Sequence, residues 1–162
     1  MNNNAIVCNL HYKDFSMLFT GDIEEIAEQQ IIELYSKNKN MLRANILKVG
    51  HHGSKTSTTK EFLDLINPSV ALIGVGQNNK FGHPNEEVIK RLKEKNIQIY
   101  RTDEMGEISV IIDKNGRIKI NTHIWIRCIW LNFKLWYDKI CIDDKEHEII
   151  KKNGAEKYEK ET

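Results

Sequence analysis

Short apolar runs separated by polar and glycine-bearing segments fill residues 1–120, and their spacing switches repeatedly between strand-like and helix-like periods. Residues 5–10 (AIVCNL) and 15–20 (FSMLFT) are β-type runs around Tyr12-Lys13-Asp14, which predicts a hairpin ending at Gly21-Asp22. Ile23, Ile26, Ala27, Gln30, Ile31 and Leu34 then recur at helical spacing, with Asp22 placed to cap the helix and Glu24 and Glu25 in its first turn. Residues 45–49 (NILKV) predict a short strand that stops at Gly50-His51-His52-Gly53-Ser54, and residues 60–66 a second amphipathic helix before Asn67-Pro68. Residues 69–75 (SVALIGV) are almost continuously apolar, the pattern of a strand covered on both faces. A loop over 76–84 leads to a helix over 86–95 with Val88, Ile89 and Leu92 on one face, and residues 97–101 are again strand-like. This alternation predicts an α/β layered domain, finished by a hairpin of residues 107–113 and 117–120 turning at Lys114-Asn115-Gly116.

From Thr122 the pattern changes. Ile126, Trp130, Phe133, Tyr137 and Ile140 form an amphipathic helical stripe, and all three tryptophans of the chain (Trp125, Trp130, Trp136) fall in this stretch. Two readings fit it: a C-terminal helix docked on the domain, or a helix for a membrane surface or a partner. Residues 143–162 are charge-dense with little apolar content, the composition of a disordered tail. The expected organisation is thus 1–120, 121–142 and 143–162.

Composition narrows the function classes. The chain has 162 residues, 24 Lys+Arg against 23 Asp+Glu and a net charge of +1, so no global basic field exists for non-specific nucleic-acid binding. No apolar run is long enough for a transmembrane segment, and Met1 is followed by Asn2-Asn3-Asn4 rather than a signal-like region, so the chain as given reads as soluble. Cys8, Cys128 and Cys141 are widely spaced, which fits free thiols in a reducing compartment better than a disulfide framework.

Three predicted strand ends carry candidate chemistry, at the edge where α/β proteins collect their sites. Asp22, after Thr20-Gly21, is either a helix cap or a carboxylate aimed at a metal. His51 and His52, flanked by Gly50 and Gly53, suit a divalent metal, with one imidazole coordinating and the other meeting substrate. The same segment fails as a phosphate-binding P-loop, because Ser54 stands where the glycine before Lys55 is required. His83, between Gly82 and Pro84, reads as a residue of a lining loop or of a helix entry. One carboxylate and three imidazoles from successive strand ends are the vocabulary of a metal-dependent hydrolase, yet an incomplete set for two metals.

LFTGDIE at 18–24, LKVGHHGSKTST at 47–58, VGQNNKFGHP at 75–84 and YRTDEMGEISV at 100–110 together resemble the C-terminal half of the metallo-β-lactamase fold, as in ComEC-type competence proteins and their free-standing relatives. The resemblance implies half of an αββα sandwich, a zinc- or manganese-dependent hydrolase and a link to DNA uptake or phosphodiester hydrolysis. It assigns Asp22 and His51 to the metal, His52 and His83 to catalysis, and Ser54, Lys55 and Asn78 to substrate contact. The family's His-x-His-x-Asp-His motif does not occur in the chain. That implies a truncated or partial hydrolase, inactive alone, completed by a chain supplying the N-terminal half or by a homodimer. The alternative is a non-catalytic remnant or interaction module that binds a partner chain.

Overall fold

The computed structural model describes residues 4–124. The stripe and tail expected over 121–142 and 143–162 lie outside the described residues except for 121–124, of which 121–123 continue a strand. Strands β1 (Cys8–Tyr12) and β2 (Phe15–Phe19) form the expected hairpin, turning where Lys13 takes a positive φ of 54°. Helix α1 (Glu25–Tyr35) follows, then β3 (Ile46–Lys48), α2 (Lys60–Ile66), β4 (Val70–Ile73), α3 (Glu86–Glu94), β5 (Gln98–Arg101), the single turn α4 (Thr102–Met105), β6 (Glu107–Ile112) and β7 (Ile118–His123). A 3-10 turn at Lys39–Leu42 and α4 have no counterpart in the hydrophobic pattern, because both are too short to show a period.

Five strands make one sheet in the order β1-β2-β3-β4-β5, antiparallel between β1 and β2 and parallel from β2 to β5. β6 and β7 form a separate antiparallel pair. Alternation along each strand sorts side chains to two faces. Leu18, Leu47, Ala71 and Ile73 join Ile23, Phe62, Leu63, Ile66, Val88 and Leu92 of the helical side. Phe15, Met17, Ile46 and Leu72 face the other way and meet Ile108, Val110, Ile112 and Ile120 of the hairpin. The domain is therefore a mixed α/β fold in layers, with helices on one face of the sheet and the β6–β7 pair on the other. The fully apolar β4 segment is the strand that needs both covers. Each fully buried Leu, Ile or Phe of these layers contributes roughly 1.5–3 kcal/mol. No helix of the described residues is long and apolar enough to cross a membrane.

Two details of α1 differ from the sequence expectation. Asp22 does not cap the helix: Glu24 holds the cap position and makes no side-chain cap bond. Ile26 and Leu34, expected on the buried stripe, are exposed, while Glu28 is buried with only 1% of its surface accessible. Its carboxylate oxygens accept from the backbone N–H of Thr58 and, at 2.8 Å, of Thr59. Arg91 of α3 lies on the other side of the same segment and donates to the carbonyls of Lys55 (3.1 Å), Ser57 (3.2 Å) and Thr58 (2.8 Å). Desolvation by burial raises the pKa of Glu28 above its ordinary value, and the Thr59 and Thr58 bonds and Arg91 only partly offset this.

Glu28→Gln would leave one of the two N–H donors facing an amide NH2, so a loss of about 1–3 kcal/mol is expected in urea denaturation at acidic pH. Because the folded state raises the Glu28 pKa, the wild-type carboxyl is most favourable below the ordinary value of 4.5 and loses that stability as pH rises through the folded-state value. The gap between wild type and variant should accordingly shrink as pH rises. A gap that widens would contradict the assignment.

Candidate functional site

The parallel strands β2, β3 and β4 end side by side, and each end runs into a polar segment. After β2, Thr20 donates its hydroxyl to the Lys48 carbonyl at 3.0 Å, and Gly21 turns the chain with φ 55°. After β3, the segment Gly50–Gly53 bends in a way few side chains tolerate. His51 (φ 45°, ψ 43°) and His52 (φ 55°, ψ 20°) are both left-handed and Gly53 follows at φ 83°. Each non-glycine residue there costs roughly 1–2 kcal/mol. Its surroundings hold the turn in place: His51 N–H donates to the Gly21 carbonyl (3.0 Å), Ser57 Oγ to the Gly50 carbonyl (2.9 Å) and Asn85 N–H to the Gly53 carbonyl (2.8 Å). A side chain at Gly53 would lie 2.6 Å from Pro84 Cβ, so only glycine lets the loop before α3 approach this closely.

This turn aims the two imidazoles at different acids. His52 Nδ1 lies 2.5 Å from the Gly74 carbonyl, which can only accept, so Nδ1 carries the proton. In the neutral ring Nε2 is then the unprotonated nitrogen; it lies 3.9 Å from an Asp22 carboxylate oxygen. His51 Nδ1 is 3.5 Å from Glu24 Oε1, and its ring meets that of His83 edge-on with centroids 5.8 Å apart. Desolvation, then the neighbouring His51 and His52, lower the pKa of His83 below its ordinary value. The structure thus brings Asp22, His51, His52 and His83 to one edge of the sheet, pairing Asp22 with His52 and His51 with Glu24.

The expected contact residues separate. Ser54 is buried, its hydroxyl 3.0 Å from that of Thr56, so it serves the loop itself. The side chains of Lys55 and Asn78 are exposed. Four residues with no role in the sequence reading join the cluster. Glu24 faces His51. Lys48, at the end of β3, is half-buried, and its amine donates to the Val49 carbonyl at 3.1 Å. It passes over Gly74, where a Cβ would be 3.2 Å from Lys48 Cε. Burial lowers its pKa, and the nearby Asp22 carboxylate opposes that shift. Gly74 therefore both makes room for Lys48 and orients His52. Asn79 organises the loop after β4: its amide donates to the carbonyls of Gly76 (3.2 Å) and His83 (2.6 Å), and its oxygen accepts from the N–H of Phe81 (3.2 Å) and His83 (3.0 Å).

Among the described residues no group of three or more His, Cys, Asp or Glu side chains is arranged to hold a metal ion. Asp22 and His52 supply two donors, whereas catalytic zinc sites use three protein ligands. These residues by themselves do not fit a resident ion.

Imidazoles, carboxylates and an amine gathered at the carboxyl ends of parallel strands give the layout in which α/β proteins hold ligands. No protein-family model matches the chain. Residues of the chain are 37% identical over 107 positions to ComE operon protein 3 of Bacillus subtilis, covering 66% of the chain and 13% of that protein. They are 31% identical over 114 positions to Competence protein ComA of Neisseria gonorrhoeae, covering 68% of the chain and 16% of that protein. Over 95 positions they are 36% identical to Recombination protein 2 of Haemophilus influenzae, covering 59% of the chain and 11% of that protein. The chain is a homologue of one segment of ComEC-type competence proteins, and it spans 11% to 16% of the length of these curated relatives.

Gly53→Ala should cost about 1–3 kcal/mol through its φ and the Pro84 contact. It should also displace the loop that carries His83, relieving first its burial and then its contact with the histidine pair, so the His83 pKa should rise toward the ordinary 6.5 in an NMR titration. An unchanged stability together with an unchanged His83 titration would show that the turn does not set this geometry.

Proposed function

We propose that the chain is part of a metal-dependent phosphodiester hydrolase linked to DNA uptake, built on half of a metallo-β-lactamase-like αββα sandwich. The observation that carries this reading is the His52 orientation: a backbone carbonyl holds Nδ1–H, and Nε2 faces the Asp22 carboxylate. In this reading Asp22 and His52, in place of the Asp22 and His51 that the resemblance implies, are two ligands of a divalent ion, zinc or manganese, since His51 Nδ1 faces Glu24. The further ligands come from outside residues 4–124 or from another chain. Lys48 sits beside Asp22, where its ammonium can meet an anionic oxygen of the substrate. His83 offers an imidazole nitrogen beside the pair that can accept a proton. Similarity to competence proteins supports the link to DNA uptake.

A second reading, an interaction module without catalysis, has its own observation. A groove of about 590 Å³ lined by Val7, Leu18, Ile31, Tyr35 and Leu42 opens between β1 and α1. Beside it Ile6 is 85% and Leu34 75% exposed. Such an apolar surface suits a partner chain or a second copy.

One exchange experiment separates the two. The matched segment of the gonococcal ComA protein is replaced by residues of this chain, and transformation frequency is measured. Retention in the chimera, with at least a tenfold loss on Asp22→Ala and on His52→Ala, is the expected result (about 1.4 kcal/mol per tenfold). Transformation that survives both substitutions would contradict the hydrolytic reading and favour the interaction module.

A further inference from the structure

The loop after β4 holds an aromatic ring in solvent beside the histidine cluster. Phe81 is 81% exposed, although the groove between β1 and α1 shows that the domain has apolar surface to offer. Its position is not that of a loose loop tip. The Asn79 side chain fixes the backbone N–H of Phe81 and both backbone groups of His83, so the segment from Gly76 to His83 is tied to one amide. The Phe81 ring stacks on the His83 ring with centroids 6.0 Å apart and planes 23° apart. His83 in turn meets His51 edge-on. Three rings therefore run in series from solvent to the Glu24–His51 pair, and Phe81 presents the outer π-face.

A ring held outward contributes little to the core, since burial of a Phe would add roughly 1.5–3 kcal/mol that this position forgoes. The two planes lie nearly parallel at that separation, which is an offset aromatic stack. The fitting ligand is flat, has a π-face of its own and carries negative charge, for which the strand-end cluster holds the Lys48 amine. An unpaired nucleobase on its sugar-phosphate strand has all three properties, whereas a base inside a duplex has both faces occupied by its neighbours.

We propose that Phe81 is a stacking platform for an unpaired nucleobase, which makes the strand-end cluster prefer single-stranded over duplex nucleic acid. This deepens the phosphodiester reading above and rests on it for the substrate class. Phe81 is a binding and positioning residue: it sets where the strand lies, and Lys48 of the strand-end cluster meets the phosphate that follows.

The test is fluorescence anisotropy with the full chain at one fixed salt concentration. Three labelled probes are compared, each about twelve nucleotides long: oligothymidylate, an abasic strand with the same backbone, and a duplex. Wild type should bind oligothymidylate more tightly than the other two. Phe81→Ala should weaken oligothymidylate binding about 5- to 100-fold, leave the abasic strand unchanged and leave Tm unchanged, while Phe81→Trp retains wild-type affinity. Equal affinity for the strand with and without bases, with Phe81→Ala silent, would overturn the platform alone and leave nucleic-acid binding standing. A wild-type chain that binds none of the probes would overturn both.

Discussion

A buried carboxylate and a guanidinium grip the segment that follows His51 and His52 from two sides. Glu28 takes the N–H groups of Thr58 and Thr59, and Arg91 takes the carbonyls of Lys55, Ser57 and Thr58. Burying backbone polar groups without partners costs several kcal/mol, so a loop crossing the helical face can sit there only if each is answered. The two side chains answer them from different helices, α1 and α3, and so tie the helical layer together through the loop. Thr59, held by Glu28, also caps α2 through Phe62 N–H at 3.3 Å. One anchoring network thus serves the core and the site.

The function proposed for the cluster depends on this anchoring because the histidine turn is strained. A left-handed His51-His52-Gly53 sequence would relax to ordinary φ values if the segments on either side were free to move. Held at both ends, it keeps His52 on Gly74 and Asp22, and His51 on Glu24 and His83. Gly74 then links β4 to both histidine orientation and Lys48 placement through a carbonyl and a missing Cβ. The cluster is consequently a product of three strand ends, and no single motif contains it.

Much of the fold was legible along the chain. The apolar run over residues 69–75 announced a strand covered on both faces, and the β-type runs at 5–10 and 15–20 announced the opening hairpin. The glycines around His51 and His52 signalled an unusual path, although nothing in the residue types gave the sign of φ at the histidines themselves. What escaped was non-local. Glu28 looks like a solvent-facing helix acid until the N–H groups of residues thirty positions away are brought to it. Asp22 looks like a cap, yet α1 begins at Glu25 and Asp22 is left to face His52. Asn78 and Asn79 are indistinguishable as neighbours in a loop, and only the fold shows that Asn79 has the hydrogen bonds while Asn78 is exposed.

The central claim is that the turn fixes His52 in one tautomer, with Nε2 bare and facing Asp22. Long-range ¹⁵N–¹H correlation spectra of the imidazoles, recorded well above the ordinary histidine pKa, read this directly. The account expects His52 to carry its proton on Nδ1 and to show an unprotonated Nε2. A His52 protonated on Nε2, or one averaging between both forms, would contradict it.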